Sequence, residues 1–203
     1  DEDCVKGCQR ILEITQSLTE KDLVFTCVGN GVSSLLTLPA PGLSVEDLRR
    51  TTLATQIERG MTTRELSPIR NHLDRMKGGR ISQHIHPAKM VHILSIAPGE
   101  YDQLMRRNFW LHTLPDCTTF QEAMESLRHY DALEAIPPAV RRYLEQADPR
   151  QETPKARDFE QMSFRIFGLM PGFMQSGKLQ PAMRKAEELG FRAVLLADGL
   201  MEV

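Results

Sequence analysis

The chain has 203 residues, 41% hydrophobic and 26% charged, fractions close to the globular average that exclude wholesale disorder and fibrous repeats. Twenty-five basic against 27 acidic residues leave a net charge of -2, which offers no global field for nucleic acid or an anionic membrane. No apolar run is long enough to span a bilayer and no signal-like segment follows the N-terminus.

Four cysteines (Cys4, Cys8, Cys27, Cys117) are too few for a disulfide scaffold and point to a reducing, cytoplasmic setting. The chain opens on Asp1 without an initiator Met and stops at Val203, which leaves open an excerpt of something larger.

Val5, Cys8, Leu12, Thr15 and Leu18 recur at three- and four-residue spacing and predict a first helix with one buried face. Leu23 to Val28 is β-rich and apolar at odd and even positions alike, as in a strand of a parallel sheet covered on both faces. It runs into Gly29-Asn30-Gly31 and a helix start at Val32-Ser33-Ser34, the place where α/β proteins hold ligands. After the break at Pro39-Ala40-Pro41-Gly42, Ser44 precedes Glu46 and Asp47 as a helix-start signal, and that helix should end near Gly60.

The next helix carries Leu66, Ile69, Leu73 and Met76 and closes at Gly78-Gly79. The preferred start has Ser67 as cap and Pro68 in the first turn; the alternative is a capping box of Thr62 and Glu65. A second buried strand is predicted over Met90 to Ile96, and residues 100–117 read as irregular. Thr119 and Glu122 start a helix through Phe120, Met124, Leu127 and Tyr130, and Pro137-Pro138 starts another through Val140, Tyr143 and Leu144. The polar stretch from Pro149 to Asp158 reads as a linker. Beyond it come a strand over Phe164 to Phe167, a helix ending at Leu189-Gly190 and a strand over Phe191 to Ala197. The fold class is α/β: a mostly parallel, Rossmann-like sheet with helices on both faces, plus the start of a second α/β segment. The domain expectation is 1–158 and 159–203.

Two features could carry chemistry. Glycines between a strand and a helix let backbone approach an anion, and Ser33 and Ser34 could add hydroxyl donors. The plain alternative is a tight turn that needs only positive φ. The turn is neither a Walker loop nor a dinucleotide fingerprint, since no Gly-Lys-Ser/Thr and no third glycine follow. The second feature is Arg70-Asn71-His72 with Lys77-Gly78-Gly79-Arg80. Arg70, Asp74 and Lys77 would share one helical face, and the cations could grip phosphate or carboxylate. The alternative there is a solvated face with an Arg70–Asp74 pair. His84 and His86 lack a further ligand at metal spacing, Cys27 lies in a strand expected to be buried, and His92 reads as a core histidine.

Several ordered stretches together resemble the bacterial glycerate kinases that carry a C-terminal MOFRL domain. They are Leu23 to Leu36, Leu38 to Leu48, Thr113-x-Pro115-Asp116-x-Thr118-Thr119-Phe120, Glu152-Thr153-Pro154-Lys155 and Ala186 to Gly190. The most specific is Ile69-Arg70-Asn71-His72-Leu73-Asp74-Arg75-Met76-Lys77-Gly78-Gly79-Arg80, against a family pattern near Val-Arg-Lys-His-Leu-Ser-x-Ile-Lys-Gly-Gly-Arg. The resemblance implies transfer of the γ-phosphoryl group of ATP, with Mg²⁺, to a hydroxyl of D-glycerate. It implies Gly31, Ser33 and Ser34 in a phosphate- or carboxylate-facing loop, and Arg70, His72, Lys77 and Arg80 as the polar and cationic part of the cleft.

It implies a small-molecule substrate and a nucleotide as partners, no nucleic acid and no membrane, and leaves a homo-oligomer open. Some relatives have been labelled hydroxypyruvate reductase. The sequence departs from the pattern at Asn30, Val32, Ile96 and residues 108–112, and the family's N-terminal Gly-Lys segment has no counterpart in it. A partial or degenerate phosphotransferase is therefore expected, inactive as these 203 residues alone; the alternative is a non-catalytic relative serving as ligand-binding or subunit-contact module.

Overall fold

Helices and strands alternate in the computed structural model, which describes residues 2–29, 31–94, 101–106, 108, 111–168 and 179–193. The order is α1 (Glu2–Thr15), β1 (Leu23–Val28), α2 (Val32–Leu35), α3 (Val45–Thr52), α4 (Thr63–His72), α5 (Arg80–Ile85), β2 (Lys89–Leu94), α6 (Tyr101–Arg106), α7 (Phe120–His129), α8 (Pro138–Gln146), β3 (Phe164–Gly168) and α9 (Leu179–Glu188). A π turn over Leu53–Ile57 prolongs α3, and 3₁₀ turns occupy Pro149–Gln151 and Ala156–Phe159.

The strands form one parallel sheet in the order β1-β2-β3, with Phe25 beside Val91 and Ile93 beside Phe167. Its even-numbered face is packed: Met90 joins Ile85 and Ala88, while Val28 and Leu94 join Leu111 and Leu114. His92 sits fully buried in that face, held by Thr26 Oγ1 at 2.8 Å and Ser82 Oγ at 3.2 Å, the satisfied core histidine that its strand position suggests. The odd-numbered residues Leu23, Phe25, Cys27 and Phe167 are exposed among the described residues. Cys27 is thus not buried as expected. A strand apolar at every position does not reveal which of its faces is covered.

The larger core is helical. Leu66, Ile69 and Leu73 pack against Phe120, Ala123 and Leu127, with Val140 and Leu144 closing the cluster, so α4, α7 and α8 form a wall beside the sheet. Each fully buried aliphatic side chain there contributes about 1.5–3 kcal/mol of transfer free energy.

The start of α4 differs from the preferred reading. Thr62 Oγ1 accepts from the Glu65 N–H while Glu65 takes the Thr62 N–H at 2.9 Å, and Pro68 lies inside the helix. The proline removes one donor, and its own carbonyl takes a bond from His72 Nδ1 at 2.6 Å. The helix ends at His72, so Met76 and Lys77 fall beyond it rather than on its face. The α5 helix was not anticipated, and α6 occupies part of the stretch read as irregular. The strand expected over Phe191 to Ala197 falls mainly outside the described residues, and 191–193 show no regular element.

The polar stretch read as a linker is pinned. Thr153 and Pro154 are buried in it, and Glu152 holds His72 and Lys155. Among the described residues no helix is long and apolar enough to cross a membrane.

Candidate functional site

The turn after β1 and the loop after α4 meet at one cleft of about 390 Å³. Ser33, Ser34, Arg70, Asp74 and Lys77 line its polar side, and Leu48, Leu53 and Ile57 its apolar side. Two features separated by some forty residues in sequence thus become two walls of one site.

Gly31 opens the first wall. Its φ of +82° lies in the left-handed region that favours glycine, and it leads into a single helical turn, Val32–Leu35. Such a turn is too short to present a useful dipole, so the donors on this side are the two serine hydroxyls.

Arg70 lies in the last turn of α4, half-buried, and donates to Gln56 Oε1 at 2.9 Å. No carboxylate pairs with it among the described residues. Burial pulls its pKa down from the ordinary value, yet a guanidinium stays charged at any ordinary pH.

Lys77 is spent differently. Its ammonium donates to Asp74 Oδ2 at 2.7 Å and to the Leu36 carbonyl, with Thr37 Oγ1 at 3.4 Å. Asp74 also accepts the Leu38 N–H at 3.3 Å and the Met76 N–H at 2.8 Å. Both side chains are almost wholly buried. The expected Arg70–Asp74 pair is therefore replaced by Asp74–Lys77, because the chain leaves the helix before Asp74.

His72 and Arg80 are turned into the protein and do not line the cleft. Both ring nitrogens of His72 face oxygen acceptors, the Pro68 carbonyl and Glu152 Oε1, each at 2.6 Å. Burial pushes the Glu152 carboxyl up, but the His72 bond and charge, Lys155 and the Thr153 N–H outweigh it and hold it well below the usual range. Arg80 is 8% exposed and donates to the carbonyls of Asn71, Lys77 and Gln151. Gly78 and Gly79 make this turn, with φ of +60° and +85°. A Cβ on Gly78 would sit 2.7 Å from Thr153 Cγ2, and one on Gly79 would sit 2.8 Å from the Leu114 carbonyl oxygen.

One site residue escaped the sequence reading. His112, 4% exposed, places Nε2 2.8 Å from Ser33 Oγ and accepts the Gly78 N–H on Nδ1 at 3.4 Å. Burial, then the charges of Lys77 and Arg70, push its pKa down to about 3, so the ring is neutral at ordinary pH. No spacing rule could have found it, since it lies in an irregular stretch; the only signal was that residues 108–112 depart from the family pattern.

The fold and this cleft define an α/β protein with a pocket, polar on one side and apolar on the other, beside a parallel sheet, and comparison with known proteins places it further. The chain belongs to the family described as Domain of unknown function DUF4147, whose profile matches residues 1–145. It is 30% identical over 204 residues to a D-glycerate 2-kinase of Thermotoga maritima and 28% identical over 207 residues to a glycerate 2-kinase of Pyrococcus horikoshii. Each match covers 98% of this chain and 44% of the relative, so the chain spans less than half the length of these proteins.

A crystal structure of a Pyrococcus horikoshii protein superposes with a TM-score of 0.72 at 28% identity, over 95% of this chain and 42% of that one. The Thermotoga maritima glycerate kinase structure superposes at 0.68 and 28% identity, over 97% of this chain and 43% of that one. The resemblance to glycerate kinases and the α/β fold class are both borne out.

Proposed function

We propose that this chain supplies the substrate-anion side of a glycerate-kinase-like phosphotransferase that uses ATP to phosphorylate D-glycerate. Arg70 carries the reading: a half-buried guanidinium without a carboxylate partner among the described residues, on the wall of a cleft shared with Ser33 and Ser34. A buried charge is costly until a counter-charge joins it, and a ligand carboxylate or phosphate satisfies it through a bidentate fork.

In this assignment Ser33, Ser34 and Arg70 meet the ligand, Gly31 shapes the turn that presents the two serines, the Asp74–Lys77 pair orders the cleft wall, and His72 and Arg80 brace the loop. Phosphoryl transfer needs chiefly positioning and charge neutralisation, which this set supports on the acceptor side. The names of the relatives support glycerate and a nucleotide as ligands. The described residues do not fit a Mg²⁺ site: Asp74, the one carboxylate lining the cleft, is already committed to Lys77 and two backbone N–H groups. The setting we assign is cytoplasmic, with small molecules rather than nucleic acid or membrane as partners.

The non-catalytic alternative draws on the same commitment of Asp74 and on Val32, whose branched side chain stands where the family carries glycine. Calorimetry with D-glycerate and with ATP, beside a coupled ADP-release assay on the full-length protein, separates the two. Heat with both ligands and ADP release are expected. Heat with D-glycerate but no ADP release selects the binding module, and no heat with either ligand overturns the kinase reading.

A further inference from the structure

The contacts of His112 determine what the Ser33 hydroxyl can do. A backbone N–H can only donate, so the Gly78 N–H at 3.4 Å requires a lone pair on His112 Nδ1. A neutral imidazole carries one proton, which must then lie on Nε2 and point at Ser33 Oγ, 2.8 Å away. The serine oxygen is thereby the acceptor of that bond, and its own hydrogen is left for another partner. Ser33 lines the cleft beside Arg70.

We propose that His112 is a positioning residue: clamped between the Gly78 backbone and Ser33, it sets the Ser33 hydroxyl as a donor toward an anionic group bound in the cleft. The clamp is stiff at the Gly78 end, where the left-handed turn packs so closely that a Cβ would meet Thr153 Cγ2 at 2.7 Å. It also joins the two walls, the turn after β1 and the loop after α4, so the spacing of Ser33 from the basic loop is set by one ring. An imidazolium would donate from both nitrogens and expel the Gly78 N–H. Burial, with Lys77 and Arg70 nearby, keeps the ring neutral down to about pH 3 and so protects the arrangement at working pH.

The ligand side of this inference rests on the glycerate-kinase reading; the tautomer side does not. Calorimetric titration of the full-length protein with D-glycerate should show about a tenfold loss of affinity for Ser33→Ala and for His112→Phe, the scale of one hydrogen bond to a charged group. Because His112 acts through Ser33, the double variant should lose no more than either single one. His112→Gln, whose amide can accept from Gly78 and donate to Ser33, should recover most of the affinity; should His112→Phe fail to fold, His112→Leu takes its place as the loss variant in the series.

The imidazole ¹⁵N spectrum at neutral pH should report the Nε2-protonated tautomer, with its Nε2 line moved by Ser33→Ala. Additive losses, full affinity in His112→Phe, or an Nδ1-protonated ring would each overturn the proposal. If the wild type gives no heat with D-glycerate, the kinase reading falls, and the ¹⁵N tautomer alone decides the role of His112.

Discussion

Arg70 and Arg80 stand ten residues apart in one basic stretch and are used in opposite ways. Arg70 reaches the cleft with a single neutral side-chain partner, Gln56, while Arg80 is buried and divides its donors among three backbone carbonyls. Lys77 and His72 follow the Arg80 pattern more than the Arg70 pattern, each tied to a carboxylate of the protein. What separates the two uses is backbone geometry. The helix carrying Arg70 stops at His72, and the left-handed glycines at 78 and 79 fold the chain back so that Arg80 points under the loop that Arg70 overlooks. Charge in a motif is therefore open to a ligand only where the protein has not already supplied the partner groups.

The sharpest test of that division is Asp74→Ala. It leaves the Lys77 ammonium buried without its counter-charge and orphans the Leu38 and Met76 N–H groups. Removing one partner of a buried ion pair costs about 3–5 kcal/mol, so urea unfolding should show a loss of that size. An undiminished midpoint would mean that Lys77 is free to serve the cleft, and the contrast with Arg70 would collapse.

Arg80→Ala comes next. Three carbonyls lose a donor and the buried stem leaves a void, for an expected loss of about 3 kcal/mol in the same measurement. Gly78→Ala should cost about 2 kcal/mol, combining a left-handed φ with a Cβ 2.7 Å from Thr153 Cγ2. Were the glycine variant neutral, the turn would not be what directs Arg80 inward.

Much of this architecture is legible in the chain. The strands at 23–28 and 164–168 and the helices started by Ser44, Thr119 and Pro138 follow from β-rich runs and side-chain caps that act locally. The α5 helix carries no such mark: it starts on a left-handed glycine without a side-chain cap and is only six residues long. Pro68 suggested a helix start where the structure has a helix interior, since the capping box at Thr62 outweighs one missing donor. On the cleft wall, Arg70, Lys77 and Ser33 are singled out by residue type and by the family resemblance, although the shared helical face expected for Arg70 and Lys77 does not form. His112 is not singled out, because its role depends on two partners distant in sequence, Gly78 and Ser33.

A smaller effect comes from acid. His92 and His112 are held neutral in the fold, with pKa values pushed down to about 4 and about 3, first of all by burial. The unfolded chain takes up those protons near pH 6.5, so it binds more protons than the native state over the window from about 6.5 downward. Stability must then fall with pH across that window. Between pH 7 and pH 6 the loss is about 0.7 kcal/mol per histidine. Thermal melts over that interval should follow this slope, and His92→Gln should lose its share of it.

The smallest effect on stability belongs to Arg70→Met, and it separates the two arginines most cleanly. The substitution removes a charge that no described carboxylate compensates and keeps most of the apolar stem, so the unfolding midpoint should stay within about 0.5 kcal/mol of wild type. A modest stabilisation would also fit, since the half-buried guanidinium no longer has to be desolvated. Binding should move the other way. If Arg70 forks an anion of the ligand, the affinity for D-glycerate should fall by about tenfold or more with the fold intact, whereas Arg80→Ala should lose stability first. An Arg70→Met protein that binds D-glycerate as well as wild type would move the anion contact elsewhere and leave Arg70 as a solvated cation on a cleft wall.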